Sequence, residues 1–143
     1  MTVPAVRTLR DEVLDVLRSV ANLKVYDGEI RQDDPPPLIP GSDRVLPYAV
    51  LYAGAGRGDS DRLVGHPSFL DWSGQITVAA GYAADCLAAV DRIRAALVGR
   101  TLTLPDGRTG YVREIADLQI RVDEQVRPPR HWVPLIIAAT ASE

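Results

Sequence analysis

Residues 68–80 alternate between apolar and polar side chains, and this alternation restricts the fold more than any other segment of the chain. The apolar side consists of Leu70, Trp72, Gly74, Ile76 and Val78, and the other side of Asp71, Ser73, Gln75, Thr77 and Ala79. Successive side chains of a β-strand point to opposite faces of the sheet. The pattern therefore predicts a strand in an antiparallel sheet covered on one face, with its polar face left to water or to a partner.

Two amphipathic helices are predicted, one before and one after this strand. In residues 3–20 the apolar positions recur at steps of three and four, with Thr2 as a suitable N-cap and Pro4 tolerated in the first turn. A second helix is expected from residue 82 to about residue 98, with Gly99 in position to end it. The expected buried positions are Val6, Leu9, Val13, Leu17 and Val20 in the first helix and Cys86, Leu87, Val90, Ile93 and Leu97 in the second.

Further strands are predicted at residues 23–26, 45–52, 101–104, 109–115, 119–124 and 131–140. Pro105-Asp106-Gly107-Arg108 is typical of a turn and predicts a hairpin between the third and fourth of these. Pro134 cannot donate a ladder hydrogen bond, so the last strand is expected at an edge or a bulge, where another subunit could add. The order predicts an α+β fold in one domain, residues 1–143, with a mostly antiparallel sheet of four to six strands and two helices packed on one face.

Two irregular loops separate the early strands. Residues 29–44, the proline-rich loop, contain four prolines and a glycine and predict an extended, partly polyproline segment without regular hydrogen bonds. Such a loop is either functional, and ordered on a partner, or a disordered surface segment. Residues 54–67 contain glycine, aspartate and arginine without periodicity and predict a second mobile loop.

Composition excludes several classes of function. The 143 residues carry a formal net charge of −3 with a pI near 5.4, which disfavours tight nucleic-acid binding. The single cysteine, Cys86, rules out an internal disulfide. No apolar run approaches the roughly 18 residues that a membrane span needs, so we expect a soluble, unexported protein without a membrane partner.

The sequence contains no residue constellation able to carry catalysis, and we expect neither enzymatic activity nor a bound cofactor or metal. Gly54, Gly56 and Gly58 resemble a phosphate loop, but no helix follows them. His66 and His131 are expected at the surface, without the neighbours that a catalytic base requires.

The other reactive or recognition-type side chains are also predicted to be structural or solvated. Cys86 lies on the apolar side of the second helix, where a cysteine behaves as a small hydrophobic residue. Trp72 and Trp132 fall within strand patterns and are expected in the core or an interface. The acidic group Asp27, Glu29, Asp33 and Asp34 matches no calcium loop and is expected to be solvated.

The chain resembles the tail-completion or tail-terminator proteins of long-tailed bacteriophages. The resemblance is carried by an N-terminal helix, then VYDGEI and QDDPPP, then PYAVLY, and finally DWSGQITVAAGYAADCLAAVDRIRAAL, which runs from strand into helix. It implies an α+β subunit that forms a ring, usually of six copies, on the head-proximal end of the tail tube. The ring ends tube polymerisation and offers a docking surface to head-completion, or stopper, proteins.

The same resemblance implies a location in the virion tail, with assembly in the host cytoplasm. DNA would pass through the ring without specific binding, which a mildly acidic protein suits. A closed ring requires two different patches on each subunit, and we expect them in residues 29–44, residues 54–67 and the polar side of residues 68–80. The candidate interface residues are Asp33, Asp34, Pro36, Arg57, Asp59, Arg62, Asp71 and Gln75.

Two alternatives remain open from the sequence. Another head-to-tail connector, such as a head-closure or neck protein, would share the size and the ring assembly. A small enzyme or ligand-binding domain would instead use the loop around Asp27–Asp34 together with His66.

Overall fold

The computed structural model describes residues 6–54, 57–59, 69–103, 109–116 and 118–142. These residues form two helices and eight strands, in the order α1 (Val6–Arg18), β1 (Lys24–Asp27), β2 (Tyr48–Ala53), β3 (Arg57–Asp59), β4 (Phe69–Ala80), α2 (Ala83–Leu97), β5 (Thr101–Thr103), β6 (Thr109–Ala116), β7 (Arg121–Asp123) and β8 (Arg130–Ser142). Within α1 and the strands, the side chains of residues 6–8, 57–59, 69–71, 103, 116 and 140–142 lie outside this description.

One sheet contains all eight strands and confirms the predicted α+β class. Six strands follow the order β1-β2-β4-β8-β6-β5, while β3 also pairs with β4 and β7 also pairs with β8. The β1–β2 pair is parallel and the other pairs are antiparallel. The sheet is therefore mixed, where a mostly antiparallel one was predicted, because the chain crosses over between β1 and β2 instead of turning back in a hairpin.

Both helices pack on the same face of the sheet, as predicted. One cluster of buried side chains joins α1 and α2 to β2, β4, β6 and β8, with Leu17, Ile76, Ile93 and Leu135 among its members. In β4, the described residues 72–78 repeat the predicted alternation, with Trp72, Gly74, Ile76 and Val78 buried and the residues between them at least partly exposed. This face of the sheet is the hydrophobic core of the protein.

The second helix differs from its prediction at one position. Leu87 is 49% exposed, and Ala89 is buried in its place. The buried positions of α2 follow steps of three and four: Cys86, Val90, Ile93 and Leu97. Leu87 lies one residue away from this series, so its side chain points away from the sheet. The predicted stop is confirmed, because Gly99 has a φ of 82° directly after the C-cap residue Val98. Thr2 and Pro4 lie outside the described residues.

Of the edge and the bulge predicted for Pro134 in β8, the edge is wrong, and the register shift of β6 lies opposite Ile136 and Ile137 instead of Pro134. Strand β8 pairs with β4 on one side and with β6 and β7 on the other. Pro134 lies opposite Thr77 of β4, and on its other side it falls between the end of the β6 pairing at Ile136 and the start of the β7 pairing at Trp132. A proline is compatible with a non-hydrogen-bonded pair, because in such a pair the backbone nitrogen points away from the partner strand. The Pro134 nitrogen then points toward the unpaired interval, and no ladder hydrogen bond is lost.

The predicted hairpin and the burial of Trp72 are confirmed. Strand β5 pairs antiparallel with β6, although the turn at residues 104–108 lies outside the described residues. The Trp72 indole nitrogen donates a hydrogen bond to the carbonyl oxygen of Gly54 over 2.9 Å. A Cβ atom at Gly74 would lie 3.0 Å from the Trp72 ring, so the glycine provides the space in which the indole lies against β4.

Cys86 is fully buried in the core, as predicted, and its thiol donates a hydrogen bond to the carbonyl oxygen of Val78 over 3.5 Å. Burial raises the pKa of the Cys86 thiol from 9.0 to about 11. Because only the thiolate reacts with disulfide reagents, the native protein will hold Cys86 unreactive.

We predict that Cys86 in the folded protein reacts with a thiol-specific disulfide reagent at least about a hundredfold more slowly than in urea-unfolded protein at the same mildly alkaline pH. The folded pKa is above the unfolded one, so the free energy of unfolding should also fall as the pH rises from 9.0 to about 11. A Cys86→Ala variant provides the control for the pH dependence. Equal labelling rates in the two states would contradict the burial of this thiol.

Candidate assembly interface

Neither of the two described helices lies over the sheet face opposite the core, here called the open face. On β4 its positions are polar, with Ser73 exposed and Gln75 and Thr77 half-buried, whereas the facing positions on β8 are the apolar Pro134, Ile136 and Ala138. Tyr52 on β2 lies opposite Gln75 and is 46% exposed, while Tyr111 on β6 is 56% exposed. A large sheet face that presents exposed tyrosines between polar side chains has the character of a protein-binding surface.

The proline-rich loop covers one end of the open face, beside β1 and β2. A second, smaller cluster of buried side chains lies there, formed by Tyr26, Val45, Tyr48, Val50 and Ala79, with Trp132 packed against it. The Tyr26 and Tyr48 rings meet edge to face at 6.0 Å, an arrangement that aromatic pairs prefer. This cluster attaches the loop to the sheet.

Two polar contacts join the loop to β1, and a third joins β8 to β2. The Tyr26 hydroxyl donates to the carbonyl oxygen of Asp34 over 2.8 Å, and the Lys24 ammonium contacts the Asp34 carboxylate at 2.5 Å. Arg130 of β8 donates to the Tyr48 hydroxyl over 3.0 Å. Burial raises the pKa of Tyr26 above its usual value, and the Asp34 carboxylate raises it further, so this hydroxyl remains a donor at neutral pH.

The loop contains its own hydrogen bonds, contrary to the prediction of an extended segment without them. Leu38 and Val45 form an isolated antiparallel bridge. Next to it, the Ile39 N–H donates to the Arg44 carbonyl and the Leu46 N–H to the Pro37 carbonyl, each over 2.8 Å. The four prolines lack an N–H and cannot donate, but the donors of this small hairpin are the N–H groups of Ile39 and Leu46, so the prolines do not prevent it.

Gly81, at the end of β4, anchors the base of the loop. Its N–H donates to the Val45 carbonyl over 3.0 Å, and its own carbonyl accepts from the Arg44 guanidinium over 2.8 Å. The Arg44 guanidinium also lies over the Tyr82 ring, 4.6 Å from its centroid. A Cβ atom at Gly81 would come within 2.7 Å of the Arg44 Cβ, so this close approach requires glycine.

Of the predicted interface residues in the loop, the structure exposes two and buries one. Asp33 is exposed and receives two hydrogen bonds from the neighbouring Arg31, each of 3.1 Å. Asp34 is exposed and paired with Lys24. Pro36 is buried, which corrects its assignment as a contact residue, because the loop folds back on the sheet and encloses it.

The remaining predicted interface residues belong to β3 and β4 or lie outside the described residues. Residues 57–59 were predicted as part of a mobile loop, but they form β3, in which Arg57 pairs with Asp71 and Asp59 with Phe69. A strand of only three residues is too short to show a recognisable alternation of apolar and polar side chains, so the sequence did not predict it. Gln75 lies on the open face, where its amide donates to the Thr77 hydroxyl over 2.9 Å. Arg62 and His66 lie outside the described residues.

Several surface residues of the same region were not found by sequence reasoning. Strand β6 lies beside β8, which places its outward side chains on the same sheet face as the polar side of β4. This neighbour relation cannot be read from the sequence. These residues are Tyr111, Arg113 and Ile115 on β6, Arg121 on β7 and Leu38 in the proline-rich loop, all exposed. The available signal was the alternation of residues 111–114, in which Val112 alone is buried.

The structure also locates the other residues considered for chemistry. His131 was expected at the surface but is half-buried in β8, because the strand places it beside Ala80 of β4 and Val122 of β7. Among the described residues, no group of three or more histidine, cysteine or acidic side chains is arranged to hold a metal ion. The two described helices are both too short or too polar to cross a membrane.

No family model matches the chain, and no curated protein is similar enough to it to count as a relative.

We predict that Gly81→Ala loosens the proline-rich loop, because the added methyl group collides with Arg44 and Val45. The free energy of unfolding should fall by about 1–3 kcal/mol. Amide hydrogen exchange at Ile39, Ser42 and Leu46 should accelerate more than exchange in the β4–β8 core. Ala88→Gly, at an exposed position of α2, is the matched control. It should lower the free energy of unfolding by about 1 kcal/mol without selectively accelerating amide hydrogen exchange in the loop. Uniform acceleration in the Gly81 variant would contradict the anchoring role.

Proposed function

We propose that this protein is the ring-forming subunit that caps the head-proximal end of a bacteriophage tail tube. In this role it ends tube polymerisation and joins the tail to the head-completion proteins. The observation that carries the proposal is the open face, a sheet surface covered by the loop at one end only, with exposed tyrosines on β2 and β6 and polar side chains on β4. The element order that resembles tail terminators adds to this support.

A ring subunit must present two different surfaces that meet around a closed cycle. The proline-rich loop and the exposed part of the open face fit this requirement, because they differ in chemistry and lie on different parts of the sheet. The loop carries acidic side chains on a hydrogen-bonded frame, while the β6 side of the open face carries Tyr111 and Arg113. Pre-ordered surfaces of this kind bind at a smaller entropic cost than mobile loops.

The net charge is consistent with a lumen through which DNA moves. At −3, the subunit offers no overall attraction to the phosphate backbone, and a ring of several copies would be more acidic still. A strongly basic lumen would instead retain the DNA during ejection.

The function can be tested with a purified major tail tube protein from the same source as this chain. Purified protein should form rings by electron microscopy, and adding it to polymerising tube protein should produce tubes that end in a ring and no longer extend. Omission of the protein is the control, and it should leave tubes of unlimited length. A strict monomer that never binds a tube would contradict the proposal, and a ring that binds only the head connector would instead identify a neck protein.

We predict that the double variant Tyr52→Glu with Ser73→Glu loses tube capping while it retains its fold. Both side chains are exposed on the open face, so the monomer accepts the new charges, whereas an interface would have to bury them. The protein concentration required for half-maximal capping should rise at least about tenfold. The matched control is Asp15→Glu with Arg18→Glu on the exposed side of α1, which should cap normally. Unchanged capping by the open-face variant would remove this face from the interface.

A further inference from the structure

The proline-rich loop carries an exposed apolar side chain and acidic groups that make no ion pair with the described residues. Leu38 is 53% exposed although it belongs to the hydrogen-bonded hairpin of the loop. Residues 27–44 hold five acidic side chains and two arginines. Glu29 and Asp43 are exposed, and neither makes an ion pair within the described chain. We call Glu29, Leu38 and Asp43 the loop surface.

A second surface of opposite character lies along the outer side of β8. Tyr111 and Arg113 of β6 pair with Thr140 and Ala138, and Arg121 of β7 pairs with Trp132. Ile115, at the register shift in β6, lies between them and is 50% exposed. We call Tyr111, Arg113, Ile115 and Arg121 the arginine strip, and at about 3.3 Å per residue it extends for roughly 26 Å.

The arginines of this strip have no charged partner among the residues that the structure describes. Arg113 and Arg121 are exposed and form no ion pair with any described residue, although the Arg121 guanidinium lies 5.7 Å from the centroid of the Trp132 ring. The neighbouring Glu114 points to the helix face instead, where Arg94 holds it with two hydrogen bonds of 2.8 and 3.0 Å. The strip is therefore a positively charged, partly aromatic surface, a composition enriched in protein interfaces.

Among the described residues no ion pair joins the loop surface to the strip, although Arg121 lies over Trp132, which packs against the cluster beside the loop. The loop is attached at β1, β2 and Gly81, whereas Arg113 lies on β6, with β4 and β8 between β2 and β6. Adjacent strands are about 4.8 Å apart, so three strand spacings alone separate β2 from β6 by roughly 14 Å. Two complementary surfaces on one chain that form no ion pair with each other within its described part suit head-to-tail contact between copies.

We propose that the loop surface of one copy docks on the arginine strip of the next. Glu29 and Asp43 face Arg113 and Arg121, and Leu38 packs against Tyr111 and Ile115. The inference rests on the proposed ring assembly and names the two surfaces that join neighbouring subunits. It makes the acidic loop a subunit-binding element, and not a cation site.

A charge-exchange experiment tests this pairing. Variant A carries Glu29→Arg with Asp43→Arg, and variant B carries Arg113→Glu with Arg121→Glu. All four side chains are exposed, so both variants should fold, which circular dichroism and thermal unfolding will verify. Each variant alone should self-associate at least about tenfold more weakly than the wild-type protein in light scattering coupled to gel filtration.

An equimolar mixture of A and B should regain assembly, because each loop then meets a strip of opposite charge. The resulting rings alternate A and B and therefore contain an even number of subunits. The control pair is Asp15→Arg and Arg18→Glu, exposed charge reversals on α1 that should leave assembly unchanged. In the wild-type protein, raising the salt concentration should weaken self-association, as expected of exposed ion pairs.

The proposed pairing would be overturned if variants A and B each remained fully assembled alone. It would also be overturned if both became monomeric and their mixture did not regain assembly. A wild-type protein that stays monomeric at high concentration would overturn both this pairing and the proposed ring. Restored assembly of the mixture, combined with rings that do not cap tubes, would support the pairing and contradict the capping function. The two proposals therefore fail in distinguishable ways.

Discussion

The pairing of β4 with β8 is the interaction on which the rest of the structure depends. Its twelve antiparallel partners run from Phe69 opposite Ser142 to Ala80 opposite His131. All other pairings extend outward from it, with β2 and β3 on β4 and β6 and β7 on β8. Both helices bury their apolar side chains in the cluster built on these two strands. The pair brings residues 69–80 together with residues 131–142, so the sheet is completed only when that later segment has been placed.

The sequence predicted the elements whose signal is local. The alternation in β4, the two helices and the β5–β6 hairpin could be read from the spacing of apolar residues and from turn chemistry, since those signals lie within a few neighbouring residues. The neighbours of each strand could not be read in this way. Pro134 suggested an edge, yet an interior strand accepts it where the β6 and β7 pairings leave an interval. The parallel β1–β2 pair likewise depends on where the crossover chain lies.

The candidate interface was predicted only in part for the same reason. Composition identified the proline-rich loop and its acids, but not its hydrogen-bonded frame. The contacts that order it come from the Tyr26 hydroxyl on β1 and from Gly81, which is far away in sequence, and neither follows from composition. The polar side of β4 was recognised, whereas Tyr111 and Arg113 joined it only through the register of β6 with β8. Pro36 shows the converse error: a residue in a surface-type segment is buried once the loop folds back.

The uneven cover of the open face has a consequence for symmetry. If the face were bare from end to end, two copies could stack sheet on sheet about a twofold axis and form a closed dimer. The proline-rich loop and the adjoining Val45 cover the β1–β2 end beside the Tyr26–Tyr48 pair, so the exposed part of the face extends from Tyr52 and Ser73 to β6 and β7. One end then projects acidic groups and the other offers arginine and tyrosine, which disfavours like-to-like contact and favours repeated head-to-tail addition. A loop that completes the subunit's own core thereby also decides which kind of assembly the sheet can form.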